Sequence, residues 1–163
     1  MLEYPGDELA FSADIMLKRL AKYLRALGYD TLFSENLLDH ELLEISQQDH
    51  RILLTRDKAL CRSASEEGHS FYVKPQHPES QLDLVSQYYP VSFVESRFMV
   101  RCLECNTPLK SISKEEAKGR VPDRVYQYRD DFYLCQFCNQ VFWHGDHVKR
   151  LRKKLLKILG DDE

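Results

Sequence analysis

The sequence predicts an α/β fold in which a mostly parallel sheet is flanked by helices, followed by a small cysteine-rich module and a basic helix. Two observations carry this prediction. Short runs of β-forming residues alternate with helical patterns through the first 97 residues, and two Cys-x-x-Cys pairs lie in the remainder. We therefore divide the chain into residues 1–97 and 98–163. A chain of 163 residues can form one full core and a small stapled module, but not two large domains.

The elements of the first region follow from apolar runs and from the residues that bound them. Strands are predicted at residues 9–13, 29–33, 51–55, 70–73 and 91–94. Helices are predicted at residues 16–27, 39–49, 57–67 and 82–89, the first of them ended by Gly28. Residues 51–55 form an uninterrupted apolar run after Arg51, which is typical of a parallel strand covered on both faces.

Charge is distributed unevenly between the two regions. Residues 1–97 hold 16 acidic and 10 basic residues, a net charge of −6, and the remaining residues hold 10 and 13, a net charge of +3. Six of the nine residues 149–157 are basic, so any contact with a polyanion is expected to be local. A solvated basic face on a C-terminal helix is the alternative interpretation of this run.

Two features of the sequence bear on location. No apolar run approaches the roughly 18 residues of a membrane span, which excludes a membrane protein of the helical class. The first ten residues, MLEYPGDELA, have neither a basic segment nor an apolar segment of the kind that directs secretion. We therefore expect a cytoplasmic protein whose cysteines are thiols or metal ligands.

The two Cys-x-x-Cys pairs predict a structural zinc site. Cys102 and Cys105 form the first pair, and Cys135 and Cys138 form the second. Four thiolates supply the tetrahedral ligand set that Zn²⁺ takes. The segment 98–163 is too small for a stable hydrophobic core of its own, so a structural metal is expected to stabilise it. Asn106 and Asn139 each follow a pair directly, where a left-handed turn is expected. Redox-active thiols and simple buried cysteines are the alternatives.

Three aspartates hold corresponding positions in the predicted fold. Asp14 follows the first strand, Asp39 begins the second helix, and Asp57 follows the third strand. In an open parallel sheet, ligands bind beyond the carboxyl ends of the strands, where clustered carboxylates favour a hard cation such as Mg²⁺ or Mn²⁺. The neighbouring cations available to bind phosphate are Lys18, Arg19 and Arg56. Aspartate is also a preferred helix N-cap, which is the alternative explanation for each position.

A second group of candidate residues follows the second cysteine pair. Trp143 is able to stack on bases, and His144, His147, Lys149 and Arg150 are able to contact phosphate, which predicts a nucleic-acid-binding surface. Packing of the aromatic rings beneath the cysteine module is the alternative.

Taken together, these motifs resemble the Mut7-C family, in which a PIN-like ribonuclease domain precedes a zinc ribbon. The resemblance rests on residues 11–31 (FSADIMLKRLAKYLRALGYDT), residues 51–57 (RILLTRD), the two cysteine pairs and residues 143–147 (WHGDH). It implies a PIN-like sheet, acidic residues that bind Mg²⁺ or Mn²⁺, a structural zinc ion and RNA as the substrate. Asp14 and Asp57 match the acidic sites of the family by position, and Asp39 matches them less closely.

The leading hypothesis is therefore a metal-dependent endoribonuclease whose zinc ribbon and basic helix hold RNA. A non-catalytic RNA-binding or adaptor protein with a degenerate site is the runner-up. A phosphoacceptor receiver domain is a third alternative, because Asp57 follows the third strand, but that fold requires a lysine after a fifth strand, and none is visible.

Overall fold

The computed structural model describes residues 8–67 and 69–160, and it confirms the mixed α/β architecture. The first region forms a four-stranded, all-parallel sheet of order β2-β1-β3-β4. Its strands are β1 (Ala10–Ala13), β2 (Asp30–Leu32), β3 (Ile52–Thr55) and β4 (Ser70–Tyr72). The helices that connect and follow them are α1 (Lys18–Ala26), α2 (Asp39–Gln48), α3 (Lys58–Glu67) and α4 (Pro78–Tyr88).

Both faces of the parallel sheet are buried, which explains the uninterrupted apolar run in β3. Successive strand residues point to opposite faces. Ile52 and Leu54 pack into the large cluster formed with α1 and α4, whereas Leu53 packs against Leu42 of α2 and Leu60 of α3. The sheet is therefore sandwiched between two helical layers, and only its edges and the ends of its strands remain accessible.

The turn that ends α1 depends on glycine. Gly28 has a φ of +94°, and a Cβ atom at this position would lie 2.6 Å from the carbonyl oxygen of Arg97. Any other residue would meet both backbone strain and a clash with the segment that leads into the second region. The predicted glycine stop therefore also permits a close approach between the two regions.

The prediction of a strand at residues 91–94 is wrong. Among the described residues, this segment pairs with no strand of the sheet. The hydroxyl of Tyr29 takes the place of a strand partner, because it accepts a hydrogen bond from the Ser92 amide at 3.0 Å and lies 3.2 Å from the carbonyl oxygen of Pro90. The fifth strand that a receiver domain needs is therefore not found within the described residues.

The second region forms an antiparallel sheet of order β5-β6-β7 beneath the cysteine pairs. Its strands are β5 (Lys110–Ile112), β6 (Phe132–Cys135) and β7 (Gln140–Phe142). Two short helices, α5 (Lys114–Ala117) and α6 (Asp123–Tyr128), connect β5 to β6, and α7 (Asp146–Ile158) ends the described chain. We refer to β5–β7 with the two cysteine pairs as the ribbon.

The two regions share a hydrophobic core. Val148 and Leu155 of α7, together with Met99, belong to the cluster that contains β1, α1 and α4. Helix α7 therefore packs against α4 and covers the first region, although it is encoded after the ribbon. Within residues 8–67 and 69–160, no helix combines the length and the apolarity that crossing a bilayer requires.

Candidate active site and metal centre

The candidate active site lies at the carboxyl ends of β1 and β3, the two central strands of the parallel sheet. The connection from β1 leads to β2 on one side, and the connection from β3 leads to β4 on the other. Such a switch point opens a crevice between the two connections, which is where ligands bind in open α/β sheets. Asp14 follows β1 directly, and Asp57 follows β3 after one intervening residue.

Asp14 is buried and held by three hydrogen bonds. Only 5% of its surface is exposed. Its Oδ1 accepts the Met16 amide at 2.9 Å, so the residue caps the 3-10 turn that opens α1. Its Oδ2 accepts the Thr55 hydroxyl at 2.5 Å and the Arg56 amide at 2.9 Å, both from the end of β3. Asp14 is thus a helix cap and also a link between the two central strands.

Asp57 lies at the exposed mouth of the same crevice. Its amide donates to the Thr55 hydroxyl oxygen at 2.9 Å, and its Oδ1 accepts the amides of Ala59 and Leu60 at 2.8 and 3.0 Å. Its Oδ2 has no hydrogen-bond donor among the described residues. The hydroxyl of Thr55 therefore connects Asp14 to Asp57, and one carboxylate oxygen of Asp57 stays open to solvent.

Asp39 has a different setting. It is the exposed first residue of α2, and the capping contact there is made by Glu41, whose carboxylate accepts the Leu38 amide at 2.8 Å. In the part of the chain that the structure describes, the side chain of Asp39 makes no hydrogen bond or ion pair. The N-cap explanation therefore holds for Asp14 and Asp57 but not for Asp39.

The structure does not gather the three aspartates into one ligand group. Among the described residues, the four cysteines are the one set of three or more possible ligands whose atoms all lie within 4.8 Å of one another. The roles predicted for Asp14, Asp39 and Asp57 as metal ligands remain a prediction. Asp14 and Asp57 are held by backbone amides near the ends of β1 and β3, whereas the Asp39 carboxylate stands exposed at the start of α2 without such contacts.

The carboxylates of Asp14 and Asp57 nevertheless fit a hard cation that keeps most of its water shell. A carboxylate offers about four lone-pair sites. Three are used at Asp14, whereas at Asp57 both bonds go to Oδ1 and leave Oδ2 free. Mg²⁺ commonly takes one or two carboxylates, several waters and the phosphate oxygens of a substrate. The pair suits that mode of binding and does not suit a closed cage of protein ligands.

The four cysteines form a metal-binding cluster, as the sequence predicts. The Sγ atoms of Cys105 and Cys135 lie 3.4 Å apart, and those of Cys102 and Cys138 lie 4.0 Å apart. A tetrahedron with Zn–S bonds of about 2.3 Å has S···S edges of about 3.8 Å. The thiol positions therefore match a single tetrahedral ion such as Zn²⁺.

The backbone of the cluster and the thiol of Cys105 are prepared for a cation, whereas burial raises the pKa of Cys102 and the hydrogen bond with Cys105 raises the pKa of Cys138. The predicted left-handed turns are confirmed, because Asn106 and Asn139 have φ of +74° and +55°. Their amides donate to the carbonyl oxygens of Cys102 and Cys135 at 2.9 and 2.8 Å, so the two turns repeat one geometry. We call residues 102–106 the first knuckle and residues 135–139 the second knuckle. Burial raises the pKa of Cys105, but hydrogen bonds, first from Thr107, outweigh it and lower that pKa to about 6. The thiolate is the form that binds metal.

The first knuckle is docked on β2, the edge strand of the parallel sheet. Asn106 accepts the Thr31 amide at 3.0 Å and donates to Asp30 at 2.6 Å, and Arg25 donates to the Thr31 carbonyl at 2.9 Å. Burial raises the pKa of Asp30, but hydrogen bonds from Arg51 and Asn106 outweigh it, so this pKa lies below its ordinary value. Side chains thus satisfy the outward N–H and C=O of the edge strand.

The three cations predicted near the acidic crevice differ in the contacts that their side chains make. Lys18 pairs with Glu35 at 2.8 Å, and both side chains are exposed. Arg19 is exposed on α1. The Arg56 guanidinium donates to the carbonyl oxygens of Val73 and Lys74, so it fixes the chain after β4 while it keeps its charge.

The residues predicted to bind nucleic acid after the second knuckle surround a cavity between the ribbon and α7. Trp143, His144 and His147 line this cavity. His144 stacks on Tyr133 with ring centroids 5.1 Å apart, and burial lowers its pKa. Trp143 also packs against the ribbon core, so the packing explanation holds for part of its indole.

The basic run is divided between structural and free positions. Arg152 pairs with Glu95 at 2.6 Å, and Lys154 pairs with Glu79 at 3.4 Å, which ties α7 to the acidic first region. Lys149 and Arg150 are exposed and make no ion pair within the described residues. The two cations of this run that are predicted to contact nucleic acid are therefore available, as are Lys153 and Lys157.

Two residues that organise these sites were missed from the sequence. Thr55 ends a strand that reads as purely apolar, and its bridging hydroxyl depends on a contact across β1 and β3. Asn106 was expected only to make a turn, although its side chain also docks on β2. The signal that could have identified Thr55 is its place between two aspartates, Asp14 and Asp57, that follow neighbouring strands.

Comparison with known protein families identifies the family of this chain. The family model described as the Mut7-C RNAse domain matches residues 9–155, which cover nearly the whole chain. No curated protein and no solved structure matches the sequence. Because the match spans the acidic crevice, the ribbon and most of α7, it applies to the chain as a unit. The chain belongs to the Mut7-C RNAse domain family.

Proposed function

We propose that this protein is a metal-dependent endoribonuclease, with Asp14 and Asp57 holding Mg²⁺ or Mn²⁺ and Asp39 as a further acidic residue of the site. The observation that carries the proposal is the carboxylate pair at the strand switch point, joined through Thr55, in a chain of a ribonuclease family. The bound ion supplies an activated water and neutralises charge on the phosphodiester.

The residues of the chain would position the reacting groups. Asp14 is fixed by three hydrogen bonds, so its carboxylate keeps one orientation without reorganisation. Asp57 presents an open oxygen at the mouth of the crevice. Lys18 and Arg19, on the first turn of α1, are suited to bind the phosphates that flank the cleaved bond.

The ribbon would hold RNA away from the site of cleavage. A structural Zn²⁺ on the four cysteines would fix both knuckles and, through Asn106, the edge of the sheet. Trp143, His144 and His147 offer stacking and hydrogen-bonding groups, and Lys149 and Arg150 offer charge. In this division the carboxyl ends of the sheet strands cleave the RNA, and the ribbon and α7 bind it.

Asp57→Asn is the sharpest test of this proposal. Asparagine is as good an N-cap as aspartate, so the helix start is preserved while the negative charge is lost. We expect at least about a 100-fold loss of Mn²⁺-dependent cleavage of single-stranded RNA, because ligation of the ion contributes several kcal/mol. Asp123→Asn, at the exposed start of α6, is the matched control and should leave the rate unchanged.

Asp14→Asn is a second test that also affects folding. Its amide nitrogen would face the Arg56 amide, which is itself a donor, so lower stability is expected together with loss of cleavage. Cleavage that persists unchanged in both variants would contradict the proposal.

One observation favours the alternative function of a non-catalytic RNA-binding or adaptor protein. Both Asp14 and Asp57 already satisfy backbone amides, as purely structural caps do. RNA binding by the zinc-loaded chain without cleavage in Mg²⁺ or Mn²⁺ would establish that alternative.

A further inference from the structure

A small apolar cavity lies between the ribbon and the first turns of α7. Its volume is about 230 Å³, and its walls include Tyr133, Phe142, Trp143 and Leu151. Pockets for drug-sized ligands usually measure roughly 300 to 1,000 Å³. The cavity is therefore sized for one flat ring system and not for an extended ligand.

The walls of the cavity match the chemistry of a nucleobase. Aromatic rings offer faces on which any base can stack. The indole Nε1 of Trp143 makes no hydrogen bond within the described ranges, and the exposed His147 lies at the rim. A base in this position would meet apolar surface on its faces and polar groups at its edge.

A groove with charged walls adjoins this cavity and extends along α1 as far as Lys18, which lies four residues after Asp14. Leu103 and Glu104 line both the cavity and an adjoining groove of about 220 Å³. Lys22 in this groove pairs with Glu104 at 3.0 Å, and Lys18 pairs with Glu35 at 2.8 Å. These pairs are exposed and screened by solvent, so phosphates can replace the glutamates.

The charge around the cavity decides between possible occupants. Arg150 is exposed and lies one helical turn from the lining residue His147, whereas Lys149 is two residues from both His147 and Leu151 and so faces away from the cavity. An apolar cavity that opens between an unpaired arginine and lysines held by exchangeable carboxylates complements a polyanion that carries flat rings. An apolar protein side chain would satisfy the walls but not these charges.

We propose that the cavity binds one unpaired nucleobase of an RNA strand whose backbone follows the groove along α1 to the acidic crevice. This inference rests on the proposed function in taking RNA as the ligand. The base is held at a fixed place in the fold, so the enzyme cuts at a set spacing from the nucleotide that the cavity holds. Glu35 and Glu104 form ion pairs with the two lysines of the groove until the phosphates of RNA displace them.

The intrinsic fluorescence of the protein tests this inference directly, because Trp143 is its single tryptophan. The zinc-loaded full chain carrying Asp57→Asn is titrated with a short single-stranded oligoribonucleotide. Stacking should quench the emission. Oligonucleotides with one abasic position moved along the strand should show one position at which affinity falls about 5- to 150-fold, as expected for loss of one stacked base.

Two variants separate stacking from folding. Trp143→Leu keeps apolar packing on the ribbon core but removes the stacking face. Because this variant has no tryptophan, its binding is followed by the fluorescence anisotropy of labelled oligoribonucleotides, and the abasic effect should disappear while zinc content stays unchanged. His147→Ala changes an exposed residue and should weaken binding without loss of stability. Tyr128→Leu, at an exposed tyrosine of α6 that lines none of the described cavities, is the matched control and should bind like the parent.

The outcomes distinguish this inference from the proposed function. Cleavage of RNA by the wild-type chain together with a flat abasic scan and no quenching would overturn the cavity assignment alone. RNA binding that depends on one base, without cleavage by the wild-type chain, would contradict the nuclease proposal and leave the cavity assignment in place. Quenching by an apolar peptide in place of RNA would mean that the cavity docks a protein.

Discussion

Replacing Asn106 by glycine tests how the ribbon is attached to the parallel sheet. Asn106 has φ of +74°, which glycine adopts freely, so Asn106→Gly keeps the turn and removes only the side chain. Asn139 has φ of +55° at the equivalent place in the second knuckle. Its side chain accepts only from Arg120 on the exposed surface, so Asn139→Gly is the matched control.

The magnitude follows from the bonds that each variant loses. Asn106 donates to the Asp30 carboxylate at 2.6 Å, a charge-assisted bond worth about 1.5–3 kcal/mol, and accepts the Thr31 amide at 3.0 Å, worth about 0.5–1.5 kcal/mol. The carboxylate of Asp30 is 36% exposed, which favours the lower half of that range. We expect the free energy of unfolding to fall by about 2–3 kcal/mol in Asn106→Gly and by about 1 kcal/mol or less in Asn139→Gly.

The assay is urea unfolding in zinc-containing buffer, followed by far-ultraviolet circular dichroism. The entropic cost of the added glycine is common to both variants, so it cancels in the difference between them. If the two variants lose the same free energy of unfolding to within about 0.5 kcal/mol, the reasoning is refuted, because the effects of two separate sites can be distinguished at that level. It would mean that the first knuckle is held by its metal and its apolar contacts alone.

Three further predictions follow from the same contacts. The pKa of Asp30 lies below its ordinary 3.8, so its stabilisation is present above that pH and is lost as pH falls through the lowered pKa. Asp30→Asn should therefore destabilise the protein at neutral pH by urea unfolding, and a gap that persists undiminished in acid would contradict this. Thr55→Val removes the bond to buried Asp14, so it should lower the free energy of unfolding by about 1.5–3 kcal/mol and abolish cleavage. Thr55→Ser keeps the hydroxyl and should change the stability and the activation free energy by no more than about 1 kcal/mol. Equal effects of the two substitutions would argue against the bridge. Cys138→Ser should lower zinc content and the melting temperature together, and unchanged zinc content would exclude it as a ligand.

Local patterns predicted the parts of the fold that depend on local chemistry. The apolar run of β3, the glycine stop at Gly28 and the turns at Asn106 and Asn139 each follow from the residue types present. Residues 91–94 show the limit of such patterns. Their alternating composition fits a strand, but the Tyr29 hydroxyl satisfies this backbone instead, and that partner lies more than 60 residues away in the sequence.

The acidic site shows the same limit in a different form. Position after a strand predicted that Asp14 and Asp57 belong to one crevice, and spacing alone could not tell which oxygens their own helices would occupy. The structure gives Asp57 one open oxygen and gives Asp14 three donors, a difference set by how far each residue lies from its strand. The sequence could therefore identify the candidate aspartates but could not predict which of them keeps a free carboxylate oxygen.

The docking of the first knuckle solves the problem that β2 creates as an edge strand. An exposed edge offers unpaired N–H and C=O groups to other chains. Here the outward groups of Thr31 are taken by Asn106 and Arg25, and the same Arg25 donates to the carbonyl oxygen of Leu103 within the knuckle. Loss of the metal would loosen the knuckle and uncover this edge, and it would also disturb the groove that Leu103 shares with the cavity of Trp143. An ion held by the four cysteines would thus bear on both the integrity of the sheet and the proposed path of RNA, so zinc removal should impair RNA binding before it alters the acidic crevice.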